Sequence, residues 1–481
     1  MRNKEKSLGI NAGLNGLKSV LSVIFPLITY PYVLRVLQVE NIGKVDFSNS
    51  IVNYFILFAG LGINTYAIRE GAVYRNDRDR LSTFSSQMFS INLFSSIVAY
   101  IALFVCVLLA DKLDGYASII MIQSLTIAGN LIGVIWLYSI VEDYAYIAIR
   151  AMLIHVVALV LMFALVRKQD DYLAYAATSV LANAGANVLN FFHARKYARI
   201  RFTLKTDIKK HIRPILFIFA SAVASTIYVN SDKTLLGILS DDYHVGLYTA
   251  SVNIYTILKI CMIAIIQVSL PRLSNYVANK RIEEYREAAE YIFKLFLVLL
   301  MPIVTGVFLI SDEIITIVGG KSYIDASLSL KILSIGLIFS ILATFYTNAV
   351  LLPHKKEKQV MLATFISAAA NVLLNLILLK RFHQDGAAFT TLIAELIMFA
   401  YQFWIGRKYC ELKIPYRYYI DIVLGCLGIF LAVLFFNWLN APFVVGVIGK
   451  ILLSVIIYFG VLCLRKNEMV MAYVNKLRHD E

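Results

Sequence analysis

The sequence has little charge for its length and few of the residues that build extracellular frameworks or catalytic sites. Only 16% of its 481 residues are charged, against roughly 25% in an average soluble chain. Its five cysteines form no CxxC pair, so neither a disulfide framework nor a zinc site is indicated. HExxH, GxSxG and Walker motifs are missing, and the longest polar segment has only about twenty residues. A soluble catalytic domain has no room, so we predict that the chain is not an enzyme and has no cofactor.

Apolar runs are what the sequence has in quantity. Hydrophobic residues make up 59% of the chain, and the mean hydropathy is +0.72. A membrane span needs about 20 apolar residues, and we find about 14 such stretches separated by short polar breaks. We therefore predict an all-α polytopic membrane protein. The stretches are 11–34, 45–68, 82–109, 115–140, 144–166, 172–192, 213–236, 245–270, 291–310, 326–352, 359–379, 386–405, 418–438 and 443–464.

One stretch of the first half recurs in the second half. The segment 43–81 aligns without a gap to the segment that begins at residue 246, and in both copies a glycine opens an apolar span that ends in an arginine. The period is too long for a solenoid and is typical of transporters built from two repeats. We therefore predict two pseudo-symmetric six-helix lobes and two extra C-terminal helices. Identical pairs are Gly43 and Gly246, Ser48 and Ser251, Arg69 and Arg272, and Asn76 and Asn279.

The longest basic segment, HARKYARIRFTLKTDIKKHIR, gives the best boundary between the lobes. We predict an N-terminal lobe at 1–195, a basic cytoplasmic linker at 196–212, a C-terminal lobe at 213–407, and helices 13 and 14 with a tail at 408–481. Roughly two thirds of the 45 Lys and Arg residues fall on the side of the termini, which predicts that both termini are cytoplasmic. The net charge of +14 therefore needs no nucleic-acid partner.

A few charges lie inside the apolar stretches. Lys259 is near the middle of its span, where exposure to lipid would cost at least about 2.5 kcal/mol. Lys331 and Glu395 lie within other spans of the second half. A lysine and a glutamate buried in one lobe can form a structural pair. They can also belong to a cationic cavity in which the carboxylate couples transport to an ion.

Four further charges have two interpretations each. Lys18 lies in a first helix that carries two prolines, and it either snorkels to headgroups or lines a cavity. Arg69 and Arg272 end the two repeated spans as topological anchors or as a functional pair. Asp232 lies about one turn inside its span, and a charge at this shallow depth is equally compatible with a functional role and with a structural role.

Six motifs along the chain carry a resemblance to a known family. They are NTYAIREGA at 64–72, WLYSIVEDYAYIAIR at 136–150, IYVNSDKTLLG at 227–237, VGLYTASVNIY at 245–255, VSLPRLSNY at 268–276 and LLPHKKEKQ at 351–359. With these motifs the chain resembles the polysaccharide repeat-unit flippases of the multidrug, oligosaccharidyl-lipid and polysaccharide exporter superfamily. The resemblance implies two six-helix bundles around a cavity that opens alternately to each side of the cytoplasmic membrane. It also implies that the cargo is an oligosaccharide unit on undecaprenyl diphosphate, moved to the outer leaflet for capsule, O-antigen or teichoic-type polymers.

The resemblance and the charges inside the spans together indicate candidate site residues. Buried cations in a wet cavity would replace the hydration of a diphosphate. Coupling to a H+ or Na+ gradient would use a carboxylate, Asp232 or Glu395. Expected partners are the lipid-linked oligosaccharide, membrane lipids, and a polysaccharide polymerase and glycosyltransferases. The hypothesised diphosphate-binding residues are Lys18, Arg69, Lys259, Arg272 and Lys331.

Other functions compete with this one. A cation-coupled multidrug exporter of the same superfamily is expected to favour acidic residues in its cavity, whereas this chain has more lysines than carboxylates within its spans. A peptidoglycan-precursor flippase would share the fold and the charge. A membrane polysaccharide polymerase or glycosyltransferase typically needs large outer loops, which are not predicted here. A membrane scaffold is the remaining alternative.

Overall fold

The computed structural model describes residues 8–439 and 441–472, and side chains from Leu27 onward except that of Val268. Within these ranges the chain consists of helices and connecting turns, with no β-strand, so the predicted all-α polytopic fold is confirmed. The helices are α1 (Leu8–Gly60), α2 (Ile63–Gly71), α3 (Arg78–Leu109), α4 (Ala117–Gly133), α5 (Ile135–Ile140), α6 (Tyr144–Leu165), α7 (Tyr172–Val180), α8 (Ala186–Ala194), α9 (Ile208–Leu239), α10 (Asp242–Ala278), α11 (Ile282–Leu309), α12 (Ser311–Gly319), α13 (Ser327–Phe345), α14 (Glu357–Gly406), α15 (Tyr416–Trp438) and α16 (Phe443–Leu464).

Several of these helices are interrupted. In the described part of the chain, 11 helices are long and apolar enough to cross a membrane. Two are too long for one crossing: α1 has 53 residues and breaks at Gln38, and α14 has 50 residues and breaks at His383. A π-helical turn at Leu181–Gly185 separates α7 from α8. The breaks at Gln38 and His383 lie between predicted spans, whereas the π-helical turn lies inside the predicted span 172–192. The count of 14 crossings stays a prediction.

The order of elements along the chain repeats, in agreement with the repeat in the sequence. The break at Gln38 precedes the first copy of the repeated segment, and a turn at Ser240 precedes the second copy. Short 3-10 helices precede both α4 and α13. Proline at position 271 lies within a continuous α10, whereas the first copy is interrupted at Leu61 and Gly62, both with positive φ.

The chain packs as two compact units, Met1–Gly246 and Leu247–Glu481. This division places α9 with the first unit, and the predicted lobe boundaries stay a prediction. The core of the first unit joins α2, α3 and α5 through buried residues that include Tyr66, Phe84 and Tyr138. In the second unit, α15 and α16 pack beside α11, where Tyr418 and Tyr458 donate hydrogen bonds to carbonyls of α11.

Two glycines at equivalent positions of the repeat form a reciprocal contact within the first unit. A Cβ added at Gly43 would overlap the carbonyl oxygen of Asp242, and one added at Gly246 would overlap the carbonyl oxygen of Val39. Val39 and Asp242 are themselves equivalent in the repeat, so each contact is the counterpart of the other, as in a pair related by two-fold symmetry. Only glycine permits such a close approach of backbones.

The basic linker is bound to α3 by hydrogen bonds to a row of serines. The backbone N–H groups of Arg199, Arg201 and Thr203 donate to the hydroxyls of Ser82, Ser86 and Ser90, at 2.9, 3.0 and 2.9 Å. The serines recur every four residues and therefore lie on one helix face. Alternate residues of the extended linker face them. The linker is thus an ordered strand-like segment along α3.

Candidate functional site

Two of the predicted site residues meet in the second unit. Lys259 of α10 forms an ion pair with Glu395 of α14, with 2.9 Å between Nζ and Oε1. The side chain of Glu395 is 2% exposed and that of Lys259 is 24% exposed. A buried carboxylate is tolerated when it is paired and hydrogen-bonded. Of the two interpretations of these charges, the pairing is therefore what the structure shows, and a role in transport stays a prediction.

Neighbouring hydroxyls complete the surroundings of the carboxylate. Tyr255 donates to Glu395 Oε1 at 2.7 Å, and Ser340 of α13 donates to the same oxygen at 2.9 Å. Tyr255 and Lys259 lie four residues apart on α10 and so share a helix face. The lysine Nζ is also 3.5 Å from the Tyr255 hydroxyl. The network joins three helices of the second unit at a single carboxylate oxygen.

A second polar group lies in the first unit between α1 and α9, and the sequence analysis singled out its members on α9 but not those on α1. Lys233 is paired with Asp46 at 3.1 Å, and both are largely buried. Asn53 donates to Asn230 at 3.0 Å. Asp232, a predicted coupling residue, is 4% exposed on the same stretch of α9. The spacing of Asp46, Ser50 and Asn53 along one helix face was the available signal.

The two arginines of the repeat are exposed: Arg69 lies in the last turn of α2, and Arg272 lies within the continuous α10. Arg69 is 61% exposed and is 3.5 Å from the carboxylate of its neighbour Glu70. Arg272 donates from Nε to the hydroxyl of Tyr276 at 2.7 Å, with its guanidinium 5.4 Å from that ring. Within the described part of the chain, no carboxylate pairs with Arg272. These guanidinium groups are therefore the most accessible of the predicted cations whose side chains are described.

The remaining predicted residues lie elsewhere. Lys331 lies in the second turn of α13 and pairs at 2.9 Å with Asp312, whose side chain is 58% exposed. The side chain of Lys18 lies outside the described residues. A further buried lysine was missed by the sequence analysis: Lys450 of α16 is paired with Glu313 of α12. No cluster of metal-ligating side chains occurs in the ranges that the structure describes.

Comparison with known proteins adds independent information. The family model described as "Polysaccharide biosynthesis protein" matches residues 8–277. The chain is 24% identical over 384 residues to the "Putative O-antigen transporter" of Escherichia coli (strain K12), covering 78% of this chain and 91% of that protein. It is 20% identical over 399 residues to the capsular polysaccharide biosynthesis protein CapF of Staphylococcus aureus, covering 81% and 97%.

A solved structure shares the fold. The lipid II flippase MurJ in its inward closed conformation superposes with a TM-score of 0.74 and 14% identity, covering 96% of this chain and 99% of that one. Likeness at this identity shows the fold alone. The Escherichia coli relative is named for transport and not for an enzyme activity, which agrees with the prediction that the chain is not an enzyme.

Proposed function

Because the chain belongs to the family of polysaccharide biosynthesis proteins, we propose that it is a flippase for lipid-linked oligosaccharides. In this proposal it moves undecaprenyl-diphosphate-linked repeat units from the inner to the outer leaflet of the cytoplasmic membrane by alternating access, for capsule, O-antigen or cell-wall polysaccharide. Both termini are cytoplasmic. The names of the O-antigen transporter and of CapF support a cargo of this class.

The observation that carries the proposal is the pair of accessible arginines. Arg69 and Arg272 occupy equivalent positions of the repeat, and neither is held by a buried carboxylate. A guanidinium binds phosphate oxygens through two parallel N–H donors, which suits a diphosphate better than a point charge does. Each unit would thus carry one guanidinium able to bind phosphate oxygens.

The buried pair suggests how ion binding is coupled to transport. Lys259 is held by Glu395, whose Oε1 also accepts from Tyr255 and Ser340. A proton or Na+ at Glu395 would compete with the ammonium and release Lys259 toward an anionic cargo. Asp232 is the second candidate carboxylate for this role. A drug exporter would instead need an accessible carboxylate to bind a cationic cargo of drug size, whereas Glu395 is buried and already paired.

Gene deletion in the host tests the proposal, with the initiating sugar transferase under inducible control so that lipid-linked units form only during the assay. We expect loss of surface polysaccharide, with intact lipid-linked units on the cytoplasmic face, detected in inverted vesicles. Normal polysaccharide together with greater sensitivity to cationic drugs would refute the flippase and support the exporter.

Complementation then tests the arginines. Arg69→Ala and Arg272→Ala should each restore less polymer than the unmodified chain at matched expression, and Arg→Lys variants should rescue only partly because the bidentate geometry is lost. Arg381→Ala is the matched control, because Arg381 is an exposed arginine 5.5 Å from the ring of Phe382. Equal polymer from all of these variants would remove both arginines from the cargo site.

A further inference from the structure

A cavity of about 270 Å³ lies inside the first unit where two helix breaks face each other. One break is the turn at Leu61 and Gly62 between α1 and α2, and the other is Val134 between α4 and α5. Irregular backbone at membrane depth occurs where it is buried in protein or lines a cavity. In transporters, such interrupted helices typically mark binding sites. The volume is just below the roughly 300 Å³ at which small-molecule pockets begin.

The chemistry of the cavity wall is polar, neutral and aromatic. Its polar lining consists of Asn64, Asn92, Ser96 and Asn130, next to the indole of Trp136, and none of its lining side chains is charged. Amides and hydroxyls both donate and accept hydrogen bonds, which matches a ligand rich in hydroxyl groups. An aromatic ring offers a flat apolar surface for a C–H face. A charged wall would instead suit an ion.

One polar group on this wall is buried and has no partner among the described residues. The hydroxyl of Ser96 makes no hydrogen bond there, and the residue is only 2% exposed. Leaving a buried hydroxyl unsatisfied is unfavourable. The side chain of Asn64 is exposed at the same wall. By contrast, Asn92 donates to the carbonyl freed at Ala59 at 2.7 Å, which holds this amide at the cavity.

The position of the cavity relates it to the accessible arginine. Asn64 and Arg69 lie on the exposed arc of the same short helix, α2. They are separated by five residues, or about 7.5 Å along the axis. A ligand with a sugar next to a diphosphate could therefore contact the cavity and the guanidinium together.

We propose that this cavity is a carbohydrate subsite that binds one sugar residue of the cargo through Asn64, Asn92, Ser96 and Asn130, with stacking on Trp136. The inference rests on the proposed function for the identity of the cargo. Binding of a sugar supplies the missing partner of Ser96. A sugar lacking the matching hydroxyl would leave buried polar groups unpaired, so the cavity would also discriminate between repeat units.

Tryptophan fluorescence tests the subsite without relying on transport. The chain has three tryptophans, and Trp404→Phe with Trp438→Phe leaves Trp136 as the only reporter. The probe is the glycan released by mild acid from the host's lipid-linked pool, added to the purified protein in detergent. We expect a saturable change in Trp136 emission, and none with glycerol. A flat response up to the solubility limit of the glycan would overturn the proposal.

Three variants separate recognition from folding. Ser96→Ala should weaken glycan binding by a factor of about 2 to 12, the worth of one hydrogen bond, while the unfolding temperature stays the same or rises because an unsatisfied hydroxyl is removed. Asn92→Leu should abolish the response because it replaces an amide of the cavity wall by a larger apolar side chain. Asn183→Ala, an exposed asparagine bonded only within its own helix turn, should change nothing. Unaltered binding in Ser96→Ala and Asn92→Leu would overturn the proposal.

The subsite and the flippase can fail separately. Normal surface polymer after gene deletion, together with a saturable Trp136 response, would leave the subsite standing and refute the flippase. Lost polymer with no Trp136 response would refute the subsite alone.

Discussion

The pairing of Lys259 with Glu395 predicts an asymmetric effect of removing either partner. Lys259→Met leaves a carboxylate that is 2% exposed with two hydroxyl donors and no cation. Breaking a buried pair in this way costs about 3–5 kcal/mol of unfolding free energy. The lysine side chain retains 24% exposure, which admits some solvent, so we expect the lower end of that range, about 3 kcal/mol.

The opposite change should cost less. Glu395→Gln keeps an oxygen that can accept from Tyr255 and Ser340, and it leaves an ammonium that is less buried than the carboxylate was. We expect a loss of about 1–2 kcal/mol, the scale of one charged hydrogen bond. The double variant removes both charges. Replacing a buried ion pair by neutral groups is often neutral or stabilising, so we expect its stability within about 1 kcal/mol of the unmodified chain.

Unfolding in mixed micelles, titrated with denaturing detergent and followed by circular dichroism, gives the three free energies. The sum of the single losses should exceed the double loss by about 3–6 kcal/mol. Lys331→Met is the matched control, because its partner Asp312 is 58% exposed and such pairs contribute about 0–1 kcal/mol. Additive single effects at Lys259 and Glu395 would refute the coupling. If the stable double variant also exports normal polymer, the pair is structural and has no part in transport.

Three further predictions concern other parts of the molecule. In a variant whose only cysteine is Cys410, maleimide labelling at pH 8 should be very slow before unfolding, because burial raises the pKa of this thiol to about 11. Labelling should rise about tenfold per pH unit below that value, and fast labelling at pH 8 would contradict this. Gly246→Ala should destabilise the fold by about 1–3 kcal/mol through overpacking. Gly306→Ala is the control and should not destabilise it, because the added Cβ has open space around it. Equal melting temperatures of the two variants would rule out the close contact at Gly246. Ser86→Ala should lower stability by about 1–2 kcal/mol and speed proteolysis of the linker, and an unchanged cleavage rate would show that its hydrogen bonds do not hold the segment.

The architecture was largely readable from the sequence because it follows from local patterns. Apolar runs of span length predicted the helices, and the recurrence of Gly43 at Gly246 predicted the repeated order that the structure contains. The breaks inside the two long helices were readable in position only. Gln38 and His383 have positive φ in the polar segments between predicted spans, and neither is a glycine or proline that would have indicated the kind of turn.

The candidate site was only partly predictable because its contacts join distant parts of the chain. Lys259 and Glu395 were identified as costly charges, and their pairing depends on the packing of α10 against α14. The repeat gave no help here, since Ile56 stands where the first half would carry the equivalent of Lys259. Trp136 and Ser96 belong to ordinary-looking apolar spans, and only the two helix breaks bring them to one cavity.

The serines of α3 and the N–H groups of the linker that bond to them repeat at slightly different spacings. Two residues of extended chain advance about 6.6 Å, whereas four helical residues advance about 6.0 Å. Each successive serine and N–H pair is therefore displaced by about a further 0.6 Å. Small adjustments absorb this displacement over three pairs, but over many more pairs it would exceed the distance range of a hydrogen bond. The segment is thus short by geometric necessity. Adding or removing one residue between Arg199 and Thr203 would turn every later N–H away from its serine, so this connection has the length tolerance of a β-strand and not that of a loop.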